Sequence, residues 1–280
     1  MSMTTNTIEA GEISRDNYAF LQQYVYRTSG IVLDENKHYL LEARLAPIIR
    51  KENLKTINDL CALIRATSGS RVSQEVVEAM TTNETLFFRD AIPFKVLRNS
   101  LLPPLIEERK SSRKLTFWSA ASSSGQEAYS LAMMLCEMGL QDWNIEIRGT
   151  DLNEKMVERA RRGAYAQIEV NRGLPATHLV KYFERDGLEW RVKDVLRRMV
   201  RFEKFDLRQP MRQIGPFDFL LCRNVLIYFD VETKKTILAE MEKTMHHGAY
   251  LLLGAAETTM NLSDAFERNA FEGVSFYRKK

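Results

Sequence analysis

The first candidate for chemistry is the segment FWSAASSSGQEAYSLAMML, from Phe117 to Leu135. Six consecutive Ala and Ser residues follow a short apolar run, and Gly125 and Glu127 precede the return of an apolar helical pattern. Small residues between a strand and a helix let a ligand approach the main chain, and the start of the helix presents free N–H groups. A phosphate site would have Lys or Arg nearby rather than Glu127. A tight strand-to-helix connection is the alternative interpretation.

The second candidate is Asp151, which ends another apolar run 26 residues after Gly125. Dinucleotide-type folds place an acid at this position, where it accepts bonds from both ribose hydroxyls. Asp151 could instead cap the following helix, although Asn153 could also do so. The chain has neither GxxxxGKS nor a complete GxGxxG. The pattern therefore favours a nucleoside ligand without a pyrophosphate, such as S-adenosylmethionine, whose ammonium could pair with Glu127.

These side chains require a sheet whose strand ends meet. From Leu115 onward, short apolar segments alternate with helical patterns, which predicts a doubly wound α/β sheet of parallel strands and crossover helices. In such a sheet ligands bind outside the carboxyl ends of the strands, where the strand order reverses. The segment from Phe266 to Lys280 predicts a hairpin, and so an antiparallel C-terminal edge. The predicted parallel strands are 115–121, 145–152, 199–207, 217–225 and 249–255.

The first hundred residues predict helices. Apolar residues recur at helical spacing through 18–25, 41–48, 60–64 and 72–80. A further helix is predicted at about 92–110, interrupted near Pro103 and Pro104.

Composition excludes several classes of protein. The 280 residues are 45% hydrophobic, enough for one large or two modest domains. The apolar runs are too short to cross a bilayer and the N-terminus lacks a signal-peptide pattern, so we expect a cytoplasmic protein. We predict buried thiols at Cys61, Cys136 and Cys222. No metal site is predicted, because the histidines lack ligand spacing: His38, His178, His246 and His247.

Charge is distributed unevenly. The net charge is +3, but Lys155 to Arg212 contains fifteen Lys or Arg against eight Asp or Glu. A basic surface attracts nucleic acid or Glu-rich protein. A solvated arginine-rich face is the alternative.

The chain contains four distinctive motifs: TTNETLFFRD at 81–90, FWSAASSSGQEAYS at 117–130, GTDL at 149–152 and CRNVLIYFD at 222–230. Together they resemble the CheR family of bacterial chemoreceptor methyltransferases. The likeness runs in order from about Tyr18 to Lys279. It implies a helical N-terminal domain and linker at 14–90, and a class I methyltransferase (Rossmann-like) domain at 91–280 with an inserted β-subdomain at about 163–198.

The resemblance also implies an activity and its residues. Family members transfer a methyl group from S-adenosylmethionine to chemoreceptor glutamates in chemotaxis adaptation, leaving S-adenosylhomocysteine. Arg89 and Tyr228 would be catalytic. GQEAYS replaces the commoner GEEPYS, and Asp206 stands where known members carry Asn. The cofactor would be bound by Asn83, Thr85, Arg89, Glu127, Asp151, Asp206, Leu207, Asn224 and Val225.

The implied partners are cytoplasmic helices of chemoreceptors, which basic residues of the second N-terminal helix would face. The candidates here are Lys37, Arg44 and Arg50. In some members the β-subdomain binds a receptor tail peptide at its sheet edge. Because the turn ERDGLEW at 184–190 is short and glycine-poor, we expect no C-terminal pentapeptide tether. We expect recruitment from the cytoplasm to membrane receptor arrays, with no nucleic acid and no membrane insertion.

Two other functions remain open from the sequence. A nucleic-acid methyltransferase could use the basic 155–212 region, although CRNV replaces the NPP[YFW] signature of base amino-group methylation. A non-catalytic scaffold could bind S-adenosylhomocysteine without turnover. Arg89 and Tyr228 argue against that, because a sensor needs neither.

Overall fold

The computed structural model describes residues 13–33, 38–67, 69–211 and 214–280. Its contacts divide the chain into two units. The helical unit is Met1–Thr82 together with Tyr228–Asp230, and the sheet unit is Asn83–Ile227 together with Val231–Lys280. The predicted boundary between residues 90 and 91 stays a prediction.

The helical unit contains the helices that the apolar spacing predicted. Side-chain caps set their starts: Ser14 accepts from Asn17 N, Ser70 accepts from Ser73 N, and Thr56 forms a capping box. Apolar faces of these helices pack into a core of their own. The helices are α1 Arg15–Ser29, α2 His38–Lys51, α3 Ile57–Ala66 and α4 Arg71–Met80.

A short segment from late in the chain belongs to the helical unit. The carbonyl of Tyr228 accepts a 2.9 Å bond from Val32 N. The Tyr26 hydroxyl donates to Asp230 Oδ2 at 2.7 Å, and Phe229 is buried.

The sheet unit confirms the alternation of strands and helices. Its helices are α5 Ala91–Val96, α6 Leu102–Glu108, α7 Gln126–Glu137, α8 Glu154–Arg162, α9 Gln167–Val170, α10 Ala176–Tyr182, α11 Asp194–Arg197 and α12 Val231–Lys243. Its strands are β1 Lys114–Ala120, β2 Asn144–Asp151, β3 Ala164–Ala166, β4 Phe183–Asp186, β5 Glu189–Val192, β6 Val200–Lys204, β7 Phe217–Cys222, β8 Met245–Leu253, β9 Phe266–Phe271 and β10 Val274–Lys279. A π-helical turn spans Leu97–Leu101, just before the proline pair, and a 3₁₀ turn spans Leu226–Tyr228.

The main sheet has the order β6-β2-β1-β7-β8-β10-β9. Strands β6, β2, β1, β7 and β8 are parallel, whereas β10 is antiparallel to β8 and β9. The chain builds outward from β1 to β6 and then restarts at β7, so the strand order reverses between β1 and β7. This arrangement puts the predicted ligand crevice at the carboxyl ends of β1 and β7.

Helix α7 is buried on nearly every side. Leu131 and Leu135 are fully buried, as are Phe117 and Trp118 of β1. A helix with apolar residues all round belongs in the core of a domain. The turn that precedes α7 is therefore anchored by a rigid strand on one side and a rigid helix on the other.

A second sheet lies in the insertion between β2 and β6. It has the antiparallel order β3-β5-β4. Gly187 and Leu188 form the turn between β4 and β5, and Leu188 is 85% exposed. Phe87 anchors this sheet, because its ring makes edge contacts with Tyr165 and Phe183 at 5.0 and 5.6 Å.

Candidate cofactor and active site

The turn from Ala121 to Gly125 is tightly held. Ser122 N donates to Thr150 O at 2.8 Å, and Gly125 N donates to Ser122 O at 2.9 Å. A Cβ on Gly125, which has φ +93°, would come within 2.9 Å of Ala160 and Phe202. Packing therefore requires a glycine here, so the tight-connection interpretation is correct for Gly125.

Packing does not account for the polar groups at the carboxyl ends of β1 and β7. Among the described residues, the only buried side-chain oxygens without a hydrogen-bond partner are Ser122 Oγ, just beyond β1, and Asn224 Oδ1, just beyond β7. Buried polar atoms are almost always paired, so an orphaned pair at a sheet edge indicates a ligand or ordered water.

Asp151 lies at the end of β2 and is buried. Its Oδ1 accepts from Asn153 N at 2.9 Å and its Oδ2 from Ser123 N at 2.8 Å. Burial raises the pKa of this carboxyl, and the backbone N–H bonds oppose that rise. A carboxylate has about four acceptor sites, so Asp151 retains capacity for a ligand. Because Asn153 caps α8 by accepting from Lys155 N, the capping role considered for Asp151 is wrong.

Glu127 belongs to a network of charges. Its Oε1 accepts from Ser119 Oγ at 2.8 Å and its Oε2 from Arg223 Nη1 at 3.0 Å. Arg223, with 2% of its side chain exposed, also donates to Asp90 Oδ2 at 2.6 Å. Two carboxylates and one guanidinium leave a formal charge of −1, which suits a ligand ammonium.

The same guanidinium holds the backbone beside Arg89. Arg223 Nη2 donates to the Arg89 carbonyl at 3.1 Å, and Arg89 Nη1 donates to Glu84 O at 2.9 Å. The flanking residues Phe88 and Asp90 have φ of 49° and 55°. Non-glycine residues seldom adopt positive φ, and such strain persists mainly at functional sites.

The rest of the TTNETLFFRD segment has two roles. Phe87 is fully buried, so this residue of the segment belongs to the core. Asn83 O accepts from Ser123 Oγ at 3.0 Å, which joins the segment to the turn after β1. Thr85 is half-buried.

Asn224 and Val225 follow β7. Asn224 has φ 59°, and both backbone N–H groups donate to the Glu257 carboxylate, at 2.8 and 2.9 Å. The adjacent Cys222 is fully buried and its pKa is raised well above normal by burial. It is therefore a packed thiol, not an activated nucleophile.

Asp206 and Leu207 follow β6. Phe205 N donates to Asp151 O at 2.9 Å, which joins this loop to the end of β2. The Asp206 carboxylate accepts from Arg208 Nε at 3.0 Å and Nη2 at 2.6 Å. Leu207 is buried. Their contact with adenine stays a prediction.

Other predicted residues lie in or near the helical unit. Tyr228 belongs to that unit, and its catalytic role stays a prediction. Arg44 is half-buried and donates to Met80 O at 2.7 Å and Thr82 Oγ1 at 2.9 Å. Arg50 is exposed, and Lys37 falls outside the described residues.

Two further residues shape the site: Arg223, which the sequence places at a strand end without a role, and Glu257, to which it assigns none. Arg223 bonds to Glu127 and Asp90 across 96 and 133 positions of the chain. Glu257 bonds to Asn224 across 33 positions. The only signal in the sequence was their place at predicted strand ends.

Comparison with known proteins identifies the family. The model of the CheR methyltransferase S-adenosylmethionine-binding domain matches residues 83–273, and that of the CheR all-alpha domain matches residues 16–81. The chain belongs to the CheR methyltransferase family. It therefore has the class I methyltransferase fold with an all-α N-terminal domain, and it is a methyltransferase of chemotaxis that uses S-adenosylmethionine.

Several curated relatives cover almost the whole chain. Chemotaxis protein methyltransferase 1 of Pseudomonas aeruginosa is 38% identical over 94% of this chain and 98% of its own. Chemotaxis protein methyltransferase Cher2 of Pseudomonas putida is 39% identical over 91% and 95%. The chemotaxis protein methyltransferase of Vibrio parahaemolyticus is 40% identical over 91% and 94%.

The residues at the strand ends fit the cofactor. Asp151 has spare acceptor capacity, the Glu127 network carries one net negative charge, and Ser122 and Asn224 present unpaired oxygens. None of the helices in the described part of the chain has the length and hydropathy to span a bilayer. Within the same residues, no group of three or more His, Cys, Asp and Glu could hold a metal ion.

Five arginines of the basic region are paired with nearby acids. The ion pairs are Arg159–Glu169, Arg161–Glu154, Arg162–Glu189, Arg191–Asp186 and Arg208–Asp206. This supports a solvated arginine-rich face over a nucleic-acid surface.

Proposed function

We propose that this chain methylates glutamate side chains of chemoreceptors, forming glutamate methyl esters. The observation that carries the proposal is the network of Glu127, the buried Arg223 and Asp90, which fixes the backbone of Arg89. It links the acid proposed for the cofactor to the cation proposed for the acceptor.

The cofactor supplies a methyl group on a positively charged sulfonium. Asp151 would hold the ribose hydroxyls through the free lone pairs of its two oxygens. Glu127 would hold the ammonium, while Asn83, Thr85, Asn224 and Val225 would complete the pocket. Asp206 and Leu207 would border the adenine.

The acceptor needs no general base. A glutamate with an unperturbed pKa near 4.3 is already ionised at neutral pH. The attraction between opposite unit charges 4 Å apart rises from about 1 kcal/mol in water to about 4 kcal/mol at an effective dielectric of 20. A dry pocket therefore favours bringing the carboxylate to the sulfonium, and the remaining task is positioning.

Arg89 is the proposed positioning cation. One of its N–H donors bonds to Glu84 O. A guanidinium has five such donors, so others can orient a carboxylate. A donor that held the acceptor too tightly would weaken it as a nucleophile. Tyr228 is proposed as a second donor on the resemblance alone.

The proposed partners are cytoplasmic helices of chemoreceptors in membrane arrays. Arg50 is exposed and offers a charge for an acidic helix, whereas Arg44 would have to share its donors with Met80 and Thr82. We propose that no C-terminal pentapeptide tether is needed, because the turn at Gly187 and Leu188 is short.

The test is incubation with labelled S-adenosylmethionine and chemoreceptor-containing membranes. The expected product is label on the receptor that mild base releases as methanol. Membranes whose receptors carry Gln at the methylated positions are the control. Base-stable label, or equal label on the control membranes, would contradict glutamate as the acceptor.

A further inference from the structure

Glu257 is a charged residue for which the proposed chemistry has no use. It follows β8 by four residues, and its carboxylate accepts bonds from four backbone N–H groups. Gly254 N and Asn224 N donate to Oε2 at 2.7 and 2.8 Å. Val225 N and Ile227 N donate to Oε1 at 2.9 and 3.3 Å.

Three of these bonds cross from the end of β8 to the loop that follows β7. That loop contains Asn224, whose φ of 59° lies in the left-handed region. A non-glycine residue holds this conformation only when its surroundings fix it. Glu257 accepts bonds from the backbone N–H of Asn224 and from that of the next residue, Val225. These two bonds hold the backbone before and after the Asn224 Cα, and so fix its conformation.

The space around the carboxylate is fully used. A Cβ on Gly254 would come within 2.7 Å of Glu257 Oε2 and 2.9 Å of Asn224 N. The two strand ends therefore pack directly on each other, with Glu257 between them. A small displacement of Glu257 would be passed on to Asn224.

We propose that Glu257 is a positioning residue for the methyl-transfer site, which it serves without touching cofactor or acceptor. It holds the loop after β7 in the conformation that presents the unpaired Asn224 Oδ1. The inference rests on the proposed assignment of Asn224 and Val225 to the cofactor pocket. If the loop leaves that conformation part of the time, the apparent affinity falls by the same fraction.

The test is Glu257→Gln, assayed by calorimetry with S-adenosylhomocysteine. Gln has nearly the same shape, but its NH₂ group would face two N–H donors in place of an acceptor. We expect the dissociation constant to rise about tenfold or more, because hydrogen bonds to a charged group are among the stronger ones. The measurement is made at a temperature where circular dichroism shows the variant to be folded.

Asp218→Asn is the matched control. Asp218 lies near the other end of β7, is 5% exposed, and accepts from Thr116 N at 2.8 Å and Arg109 Nη2 at 2.8 Å. Like Glu257→Gln, Asp218→Asn replaces a carboxylate that accepts a bond from a backbone N–H with an amide. The control should lose stability yet keep its affinity within about twofold, since distant sites act independently.

Several outcomes would overturn the inference. Unchanged affinity in Glu257→Gln would do so, and so would equal weakening in both variants, which would indicate general loosening. If Glu257→Gln does not fold, Gly254→Ala tests the same contact and should weaken binding in the same way; wild-type affinity in that variant would count against the role. No binding by the unaltered protein would overturn the cofactor assignment itself.

Discussion

The two ends of strands β1 and β7 carry similar groups but use them differently. At the amino ends, the Asp218 carboxylate accepts from Thr116 N, Thr116 Oγ1 and Arg109 Nη2 at 2.8, 3.0 and 2.8 Å. Only one buried nitrogen there, Arg109 Nε, has no partner within the described residues. The Asp218 carboxylate is therefore engaged by donors of the protein itself.

The carboxyl ends retain unused acceptors. Ser122 Oγ and Asn224 Oδ1 are buried and unpaired, and Asp151 accepts N–H bonds at both of its oxygens. Ala121, Ser123 and Asn224 all have positive φ. Both ends contain an Arg–carboxylate pair, so binding capacity lies at the end where buried acceptors are left open.

Arg223→Met should have the largest effect. It would leave Glu127 buried without a cation, which costs about 3–5 kcal/mol in similar pairs, and it would release the Arg89 backbone. We expect a loss of that size in the free energy of unfolding in urea, together with loss of methyl transfer. Arg109→Met at the amino end is the control, and it should lose stability but keep its affinity for S-adenosylhomocysteine. Loss of affinity in both variants would contradict the difference between the ends.

Much of this comparison could be foreseen from the sequence. Apolar runs predicted β1, β2, β6, β7 and β8, because a buried parallel strand needs a continuous apolar segment. The ends of those runs located Asp151 and Asn224. Arg223 and Glu257 could not be foreseen, because their partners are distant in sequence and only the completed sheet brings them together.

The roles of single residues were harder to assign than their positions. Asp151 and Asn153 both suit a helix N-cap by residue type, and only the geometry shows that Asn153 caps α8. By residue type alone, Phe87 suits either a core position or a segment that covers a ligand. Its full burial depends on Tyr165 and Phe183, which belong to the inserted sheet, so no local pattern could decide it.

Asp151→Asn should have the next largest effect. It would replace a charged acceptor for two hydroxyls, at about 1.5–3 kcal/mol per bond to a charged group, and so weaken S-adenosylhomocysteine binding by roughly 100-fold. Calorimetry checks this directly. An affinity within threefold of the unaltered protein would show that the ribose is not held here.

The raised pKa of Asp151 gives opposite pH dependences for stability and binding. Because burial raises the folded-state pKa, the folded protein binds this proton more tightly than the unfolded chain does. Its contribution to stability therefore falls as pH rises from the ordinary aspartate pKa through the raised value. Binding needs the carboxylate, so affinity should fall as pH drops through the same window. Urea unfolding and calorimetry across that range check both, with Asp151→Asn as the variant that should lack the dependence.

Because the Arg89 side chain is proposed to orient the acceptor, Arg89→Ala should lower kcat by about tenfold to a hundredfold. Its affinity for S-adenosylhomocysteine should change less. Initial-rate kinetics with receptor membranes measures the effect. Near-normal turnover would remove Arg89 from the catalytic assignment.

Asp90→Asn should have the smallest effect. Asp90 has 56% of its side chain exposed, and an exposed ion pair contributes about 0.2–1 kcal/mol. Asn tolerates the left-handed φ of 55°, so the backbone should keep its conformation. We expect KM for S-adenosylmethionine to rise by less than about fivefold. If Asp90→Asn lost as much activity as Arg223→Met, the exposed Asp90, and not the pair of Glu127 and Arg223, would be the main contributor to the function of the network.

The most direct measurement is a crystal structure of the protein grown with S-adenosylhomocysteine. We expect electron density for the ligand at the carboxyl ends of β1 and β7, with its ribose against Asp151 and its amino group against Glu127. Density at the amino ends, beside Arg109 and Asp218, would contradict the account, and so would ligand density away from both acids.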